Sequence, residues 1–208
     1  MKRGLVILLM VFTLPMLAAQ TGPDWPGIEA ESLRHYQALL RIDTSDPPGN
    51  EGRVAGYLKQ VLERDGIAVK LYEAEKGRAN LVARLPGSGR KRPLLLMAHT
   101  DVVRADPSHW KFPPFSATRD AGYIYARGAV DDKDNLTAAL MTLLLLKRAG
   151  ITPERDVILL AEAGEETATR VGIEHMVDKH FADIDAEYCL AEGGITLRKD
   201  GRTLYAQV

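Results

Sequence analysis

The run Pro93-Leu-Leu-Leu-Met-Ala-His-Thr-Asp101 decides the fold of this 208-residue chain. A continuous apolar stretch without alternation is the pattern of a strand buried on both faces, and here it runs straight into a histidine and an acid. Two further segments repeat the device. Val157 to Ala161 leads into Glu162-Ala-Gly-Glu-Glu166, and Tyr188 to Ala191 leads into Glu192-Gly-Gly194. A fourth cluster, Arg127-Gly-Ala-Val-Asp-Asp-Lys133, stands between the short strand candidate Tyr123 to Ala126 and a helical pattern over Asn135 to Ala149, which Gly150 is placed to end.

Outside these segments the elements alternate. Ile28 to Ile42 has apolar residues at near-helical spacing (Leu33, Tyr36, Leu39, Leu40) and ends before the turn-rich stretch Asp43 to Asn50. Glu51 to Arg64 places Val54, Tyr57, Leu58, Val61 and Leu62 on one helical face, with Asp65-Gly66 closing it. Ala68 to Tyr72 and Asn80 to Leu85 have the pattern of short strands, and Val171 to Phe181 that of a helix. This order predicts an α/β domain with a mostly parallel central sheet. Thr203 to Val208 has the pattern of a strand in progress, so we expect the fold to be incomplete at the C-terminus.

Composition sets wide bounds. Hydrophobic residues are 46% and charged residues 26%, the mix of a globular domain, and the formal net charge of −1 gives no electrostatic case for nucleic acid. The first residues are of another kind. Lys2 and Arg3 precede an apolar stretch from Leu5 to Leu14, then Pro15 and the small pair Ala18-Ala19. That order predicts a signal peptide over residues 1–19, cleaved after Ala19, and a secreted or periplasmic product. The apolar stretch is too short to span a bilayer, so no stable membrane span is expected after cleavage. The sole cysteine, Cys189, allows no intrachain disulfide. Its place in the apolar run after Tyr188 predicts a small buried core residue rather than a nucleophile.

Ligands of open α/β sheets bind beyond the carboxyl ends of the strands, so the four clusters can converge although far apart in sequence. Carboxylates brought that close repel one another and resist desolvation. A divalent cation removes the conflict, and imidazole with carboxylates is the ligand set expected for zinc. Taken singly, each cluster has a bland counterpart. A lone His-x-Asp occurs by chance, a Glu-Glu pair is usually solvated, and Asp-Asp-Lys before a helix serves as an N-cap. Their common position at strand ends is what carries the expectation.

With these stretches in place, the chain resembles the dinuclear zinc aminoacylases and carboxypeptidases, a family that includes glutamate carboxypeptidase and succinyl-diaminopimelate desuccinylase. The similar segments are Leu94 to Val103, Tyr125 to Lys133, Ala161 to Glu166 and Ala191 to Gly193, with support from Asp106 to Trp110 and Pro113 to Phe115. Order and spacing agree from about residue 27 to 195. The resemblance implies a three-layer zinc-exopeptidase-like fold and two Zn2+ ions. It implies that His99 and Glu192 hold one zinc, that Asp131 bridges both, and that Glu166 holds the other. Asp101 would orient His99, Glu165 would be the general base, and the Asp131–Asp132 peptide would be cis. Asp134-Asn135 departs from the glycine that many relatives have after the lysine.

The implied activity is zinc-dependent hydrolysis of an amide bond in a short peptide or N-acyl amino acid, through metal-activated water. Residues 20–208 would be the N-terminal part of the zinc-binding catalytic domain. The family's lid domain, through which full-length relatives form homodimers, and the C-terminal return with the last histidine ligand would be absent. His35, His109, His175 and His180 stand in no matching motif. The rival expectation is a truncated, non-catalytic or weakly active metal-binding remnant. A serine hydrolase is disfavoured, since no Gly-x-Ser-x-Gly elbow occurs.

Overall fold

The computed structural model describes residues 22–193 and 196–206. The expected signal segment, residues 1–19, and the end of the last expected strand lie outside the described residues. In chain order the elements are α1 (Trp25–Leu40), β1 (Ser45–Asp46), α2 (Glu51–Arg64), β2 (Val69–Glu75), β3 (Arg78–Leu85), β4 (Leu94–His99) and β5 (Val102–Val103). They continue with β6 (Thr118–Asp120), β7 (Tyr123–Tyr125), α3 (Lys133–Arg148), β8 (Val157–Glu162), α4 (Ile173–Ile184), β9 (Tyr188–Leu190), β10 (Thr196–Lys199) and β11 (Arg202–Ala206). Among the described residues no helix is long and apolar enough to cross a membrane.

The central sheet has the order β2-β3-β8-β4-β9. Its pairings refine the expected mostly parallel sheet to a mixed one. β8, β4 and β9 run parallel because helices α3 and α4 form the crossovers between them, while β2 and β3 form a hairpin and β3 runs antiparallel to β8. Alternation along β8 divides the core. Val157, Leu159 and Ala161 join the face packed by α2 and α3, and Ile158 and Leu160 join the face packed by Met176 and Ile184 of α4. Helices therefore cover both faces, giving three layers.

The α2 face foreseen from spacing is the one that packs: Val54, Ala55, Leu58, Val61 and Leu62 are all buried. The burial of Cys189 is not borne out. Tyr188, Cys189 and Leu190 are all exposed, because β9 is an outer strand that among the described residues pairs only with β4. An apolar run marks a strand without saying whether anything covers it. The hairpin β10–β11 extends the Thr203 strand expectation back to Thr196, and Lys199 and Arg202 pair across its turn.

Two registers position the chemistry. Parallel pairing of β4 with β8 sets Leu94 beside Val157 and His99 beside Glu162, so both strands end on one rim. A short parallel pair, β1 with β5, places Asp46 beside Val103, close after Asp101. Lys133 opens α3 as a fully buried side chain whose Nζ donates to the carbonyl oxygens of Leu39 and Ile42, fastening α3 to the end of α1.

Burial lowers the Lys133 ammonium to about 8 from 10.5. The unfolded state then binds more protons than the folded state between these values, so stability rises with pH across that window. Metal-free protein should gain about 2 kcal/mol relative to its Lys133→Met variant between pH 8 and pH 10.5. Denaturant titrations at both pH values check this, and a flat difference would count against a Lys133 lowered by burial.

Candidate metal centre

His99 ends β4 with its side chain 1% exposed, and its two ring nitrogens face different partners. Nε2 lies 2.9 Å from Asp131 Oδ1 and 3.7 Å from Glu192 Oε2. Nδ1 lies 3.0 Å from the carbonyl oxygen of Asp101 and 3.5 Å from its carboxylate. Asp131 and Glu192 are well exposed by comparison, so the ring forms the floor of the site and the acids its walls. Ligand atoms of His99, Asp131 and Glu166 lie within 4.8 Å of one another, as do those of His99, Asp132 and Glu192. All four expected ligands thus gather around one imidazole.

The Asp101 carboxylate has a further task that sequence did not suggest. It accepts hydrogen bonds from the backbone N–H groups of Glu165 and Glu166, at 3.1 and 3.0 Å. One acid thereby ties the His99 strand to the loop that carries the Glu-Glu pair. That loop is compact. Gly164 has φ +70°, and a Cβ at Gly172 would stand 1.9 Å from the Ala163 carbonyl oxygen, so the loop closes only with glycine there. Buried Asn80 of β3 braces both its ends, accepting from Ala163 N at 3.0 Å and donating to Val171 O at 2.7 Å.

Asp132 is a second residue whose part was not foreseen. It occupies the N-cap position of α3, yet its side chain does not cap the helix. Its carboxylate instead accepts from the backbone N–H of His99 at 3.2 Å and from the Asn135 amide. The Asp131–Asp132 peptide is cis. Glu162, the last residue of β8, is the third. It is 4% exposed, and its Oε2 has no hydrogen-bond partner among the described residues. With Glu165, Glu192 and His99 it lines a cavity of about 240 Å³. A larger cavity of about 490 Å³, lined by Leu33, Tyr36 and Met141 among others, lies away from these groups.

Electrostatics say what the cluster needs. Burial opposes protonation of His99, but the carboxylates of Asp101, Asp131 and Glu192 outweigh it and hold the imidazole up at about 10. Burial pushes Glu162 up to about 7, and it also raises Glu166 and Glu192, helped by the neighbouring acids. Asp101 moves the other way: burial works against its charge, but His99 and the two loop N–H groups prevail. Several acids therefore share a single proton-bearing ring as their nearest cation. A divalent metal ion fits this donor set, replacing the ring proton and relieving the raised carboxylates.

An α/β sheet with an imidazole and carboxylates converging beyond its strand ends has the geometry of a metal-binding site. Residues 95–202 match Peptidase family M20/M25/M40, and the chain belongs to that family. It is 34% identical over 157 residues to a probable succinyl-diaminopimelate desuccinylase of Staphylococcus aureus, covering 74% of this chain and 38% of that protein. It is 35% identical over 218 aligned positions to an uncharacterized carboxypeptidase of Schizosaccharomyces pombe, covering 93% of this chain and 36% of that protein. The crystal structure of the M20 family metallo-carboxypeptidase Sso-CP2 from Sulfolobus solfataricus superposes with a TM-score of 0.70 at 32% identity, covering 83% of this chain and 39% of that one. The chain thus spans less than two-fifths of the length of these relatives.

Zinc should bind the neutral imidazole, so loading the metal-free protein at pH 8 should release about one proton from His99. Affinity should then rise by up to about tenfold per pH unit towards pH 10. Calorimetric titration in buffers of different ionisation enthalpy measures the release. A His99→Gln variant that releases the same number of protons would exclude His99 as their source.

Proposed function

We propose that residues 20–208 form the metal-binding part of a dinuclear zinc active site that hydrolyses the amide bond of a short peptide or N-acyl amino acid. The observation that carries this reading is the meeting of Asp131, Glu166 and Glu192 around His99 Nε2, with Glu165 adjoining Glu166. His99 and Glu192 would hold one zinc, Glu166 the other, and Asp131 both. Asp131 is preferred to Asp132 as the bridge. Its carboxylate faces Nε2 and is exposed, whereas that of Asp132 is buried and already accepts from His99 N and Asn135.

When bound, two zinc ions lower the pKa of a water and polarise the scissile carbonyl. The chain's own groups do the rest. Glu165 is exposed at the loop surface while its N–H is fixed by Asp101, so its carboxylate is free to take a proton from the attacking water and return it to the departing nitrogen. Asp101 holds the ring of His99 and the backbone of the loop together, keeping base and ligands in mutual register. His99 offers only Nε2 outward, because Nδ1 is engaged by Asp101.

Within this chain the second zinc has Asp131 and Glu166 as its proposed ligands, so its affinity should be the weaker of two binding events. Turnover of an N-acetyl amino acid or a dipeptide by the zinc-loaded chain should be slow beside that of the longer relatives. Glu165→Ala should lower that turnover by about 100-fold or more with zinc content unchanged. Turnover that survives the substitution would refute Glu165 as the base, and loss of zinc would make it a ligand.

Export is proposed from Lys2, Arg3, the apolar stretch and Ala18-Ala19. Expressed from its own start codon in a bacterium, the chain should be recovered outside the cytoplasm with Gln20 as its first residue. N-terminal sequencing decides this, and a cytoplasmic product retaining Met1 or Lys2 would exclude it.

A further inference from the structure

A second set of buried acids lies behind the metal centre. Asp46 of β1, Glu51 at the start of α2 and Asp101 are all buried, with ligand atoms within 4.8 Å of one another. Three carboxylates at that spacing demand a cation, and the fold supplies one from within. The guanidinium of Arg78, itself buried at the start of β3, donates through Nη2 to Asp46 Oδ2 at 2.8 Å and through Nε to both oxygens of Glu51 at 3.1 Å. These acids hold Arg78 more firmly protonated than a free guanidinium. Asp46 thus has a buried cationic partner on one side and room to accept one more hydrogen bond on the other.

That bond comes from the hydroxyl of Thr167, the residue after Glu166. The loop is also tied by its backbone, to Asn80 at its two ends and to Asp101 at Glu165 and Glu166, and by the exposed side chains of Thr169 and Arg170, which bond Glu174 and Glu75. Thr167 contributes a side-chain anchor, and it is an unusual one. The residue lies at the exposed surface of the loop, yet its hydroxyl reaches an acid that is 5% exposed. The anchor fixes the chain on the far side of Glu166 from the Asp101 bonds. Glu166 is therefore held from both directions.

We infer that Asp46 is a positioning residue for Glu165 and Glu166, acting through the Thr167 hydroxyl with Arg78 as its internal counter-ion. This rests on the reading of Glu166 as a zinc ligand. Asp101 lies beside Asp46 and Glu51 and also binds the loop N–H groups, so the two clusters meet at the loop: Asp101 fixes it at Glu165 and Glu166, and Asp46 fixes it at Thr167. Contacts that orient ligands in this way contribute about 10- to 100-fold to metal affinity.

The test compares zinc affinity, by competition with a chromophoric chelator, in the wild-type chain, Thr167→Val and Thr167→Ser. Unfolding midpoints of the metal-free proteins are measured alongside. Valine keeps the shape and removes the hydroxyl, and Asp46 retains Arg78 as its partner, so the metal-free midpoint should fall only slightly while the weaker zinc event loses about tenfold in affinity. Serine should restore it. Wild-type affinity in Thr167→Val, equal weakness in Thr167→Ser, or a loss matched by lower metal-free stability would overturn the inference. A wild-type chain that binds no zinc would overturn the metal reading itself, and that result is visible before any substitution is made.

Discussion

Everything in this structure is arranged around an excess of buried negative charge at the ends of β4 and β8. The parallel register that sets His99 beside Glu162 is dictated by the apolar runs beneath it, Leu94 to Ala98 and Val157 to Ala161, which stabilise the fold only when aligned. Once they align, Asp101, Asp132 and Glu162 are buried together, with Asp131, Glu165, Glu166 and Glu192 at the rim. Bringing carboxylates out of water costs several kcal/mol each unless charge is matched. The fold answers with three cations in three places: the imidazolium of His99 at the centre, Lys133 beneath the start of α3, and Arg78 behind Asp101. Only the first of these stands where a metal ion would go.

This division explains why one side of the cluster is permanent and the other exchangeable. Arg78 cannot lose its proton in any ordinary pH range, and its guanidinium is bonded to two acids. It can therefore serve as a fixed strut. His99 can give up its proton, and in the proposed reading the ring would then serve as a ligand in place of a counter-ion. The two meet at one loop, which Asp101 binds at Glu165 and Glu166 while facing His99, and which Asp46, paired with Arg78, binds at Thr167.

Much of this was legible from sequence where the signal is local. The helical spacing of Val54, Leu58, Val61 and Leu62 gave α2 its limits, and the apolar runs before His99 and Glu162 marked β4 and β8. Their acidic ends, with Asp131 and Glu192, pointed to a metal site that the geometry gathers around one ring. What escaped was tertiary. Asp46, Arg78 and Asn80 look like ordinary surface polar residues, and nothing in their neighbours tells that three elements close over them. Asp132 stands at a capping position before α3, and only the approach of the His99 N–H shows that its side chain turns elsewhere. Cys189 failed for the reverse reason, since apolar neighbours in a strand promise burial that an outer strand does not receive.

The two proposed metal positions are supported unequally, and in an unexpected direction. By the family resemblance, His99 and Glu192 complete the protein ligands of one ion, while Asp131 and Glu166 leave the other short. Mechanically the order is reversed. Glu166 sits in a loop tied by Asn80, Asp101 and Asp46. Glu192 follows an outer strand of three exposed residues, with its carboxylate 3.7 Å from His99 Nε2. A ligand on a lightly held segment loses more conformational freedom on binding than one held in advance, so the ion must supply that ordering from its own binding energy. Rigidity has been concentrated on the loop that carries Glu165. In its proposed role as base, Glu165 must be in place when the water attacks, whereas a ligand can be drawn in by the ion it binds.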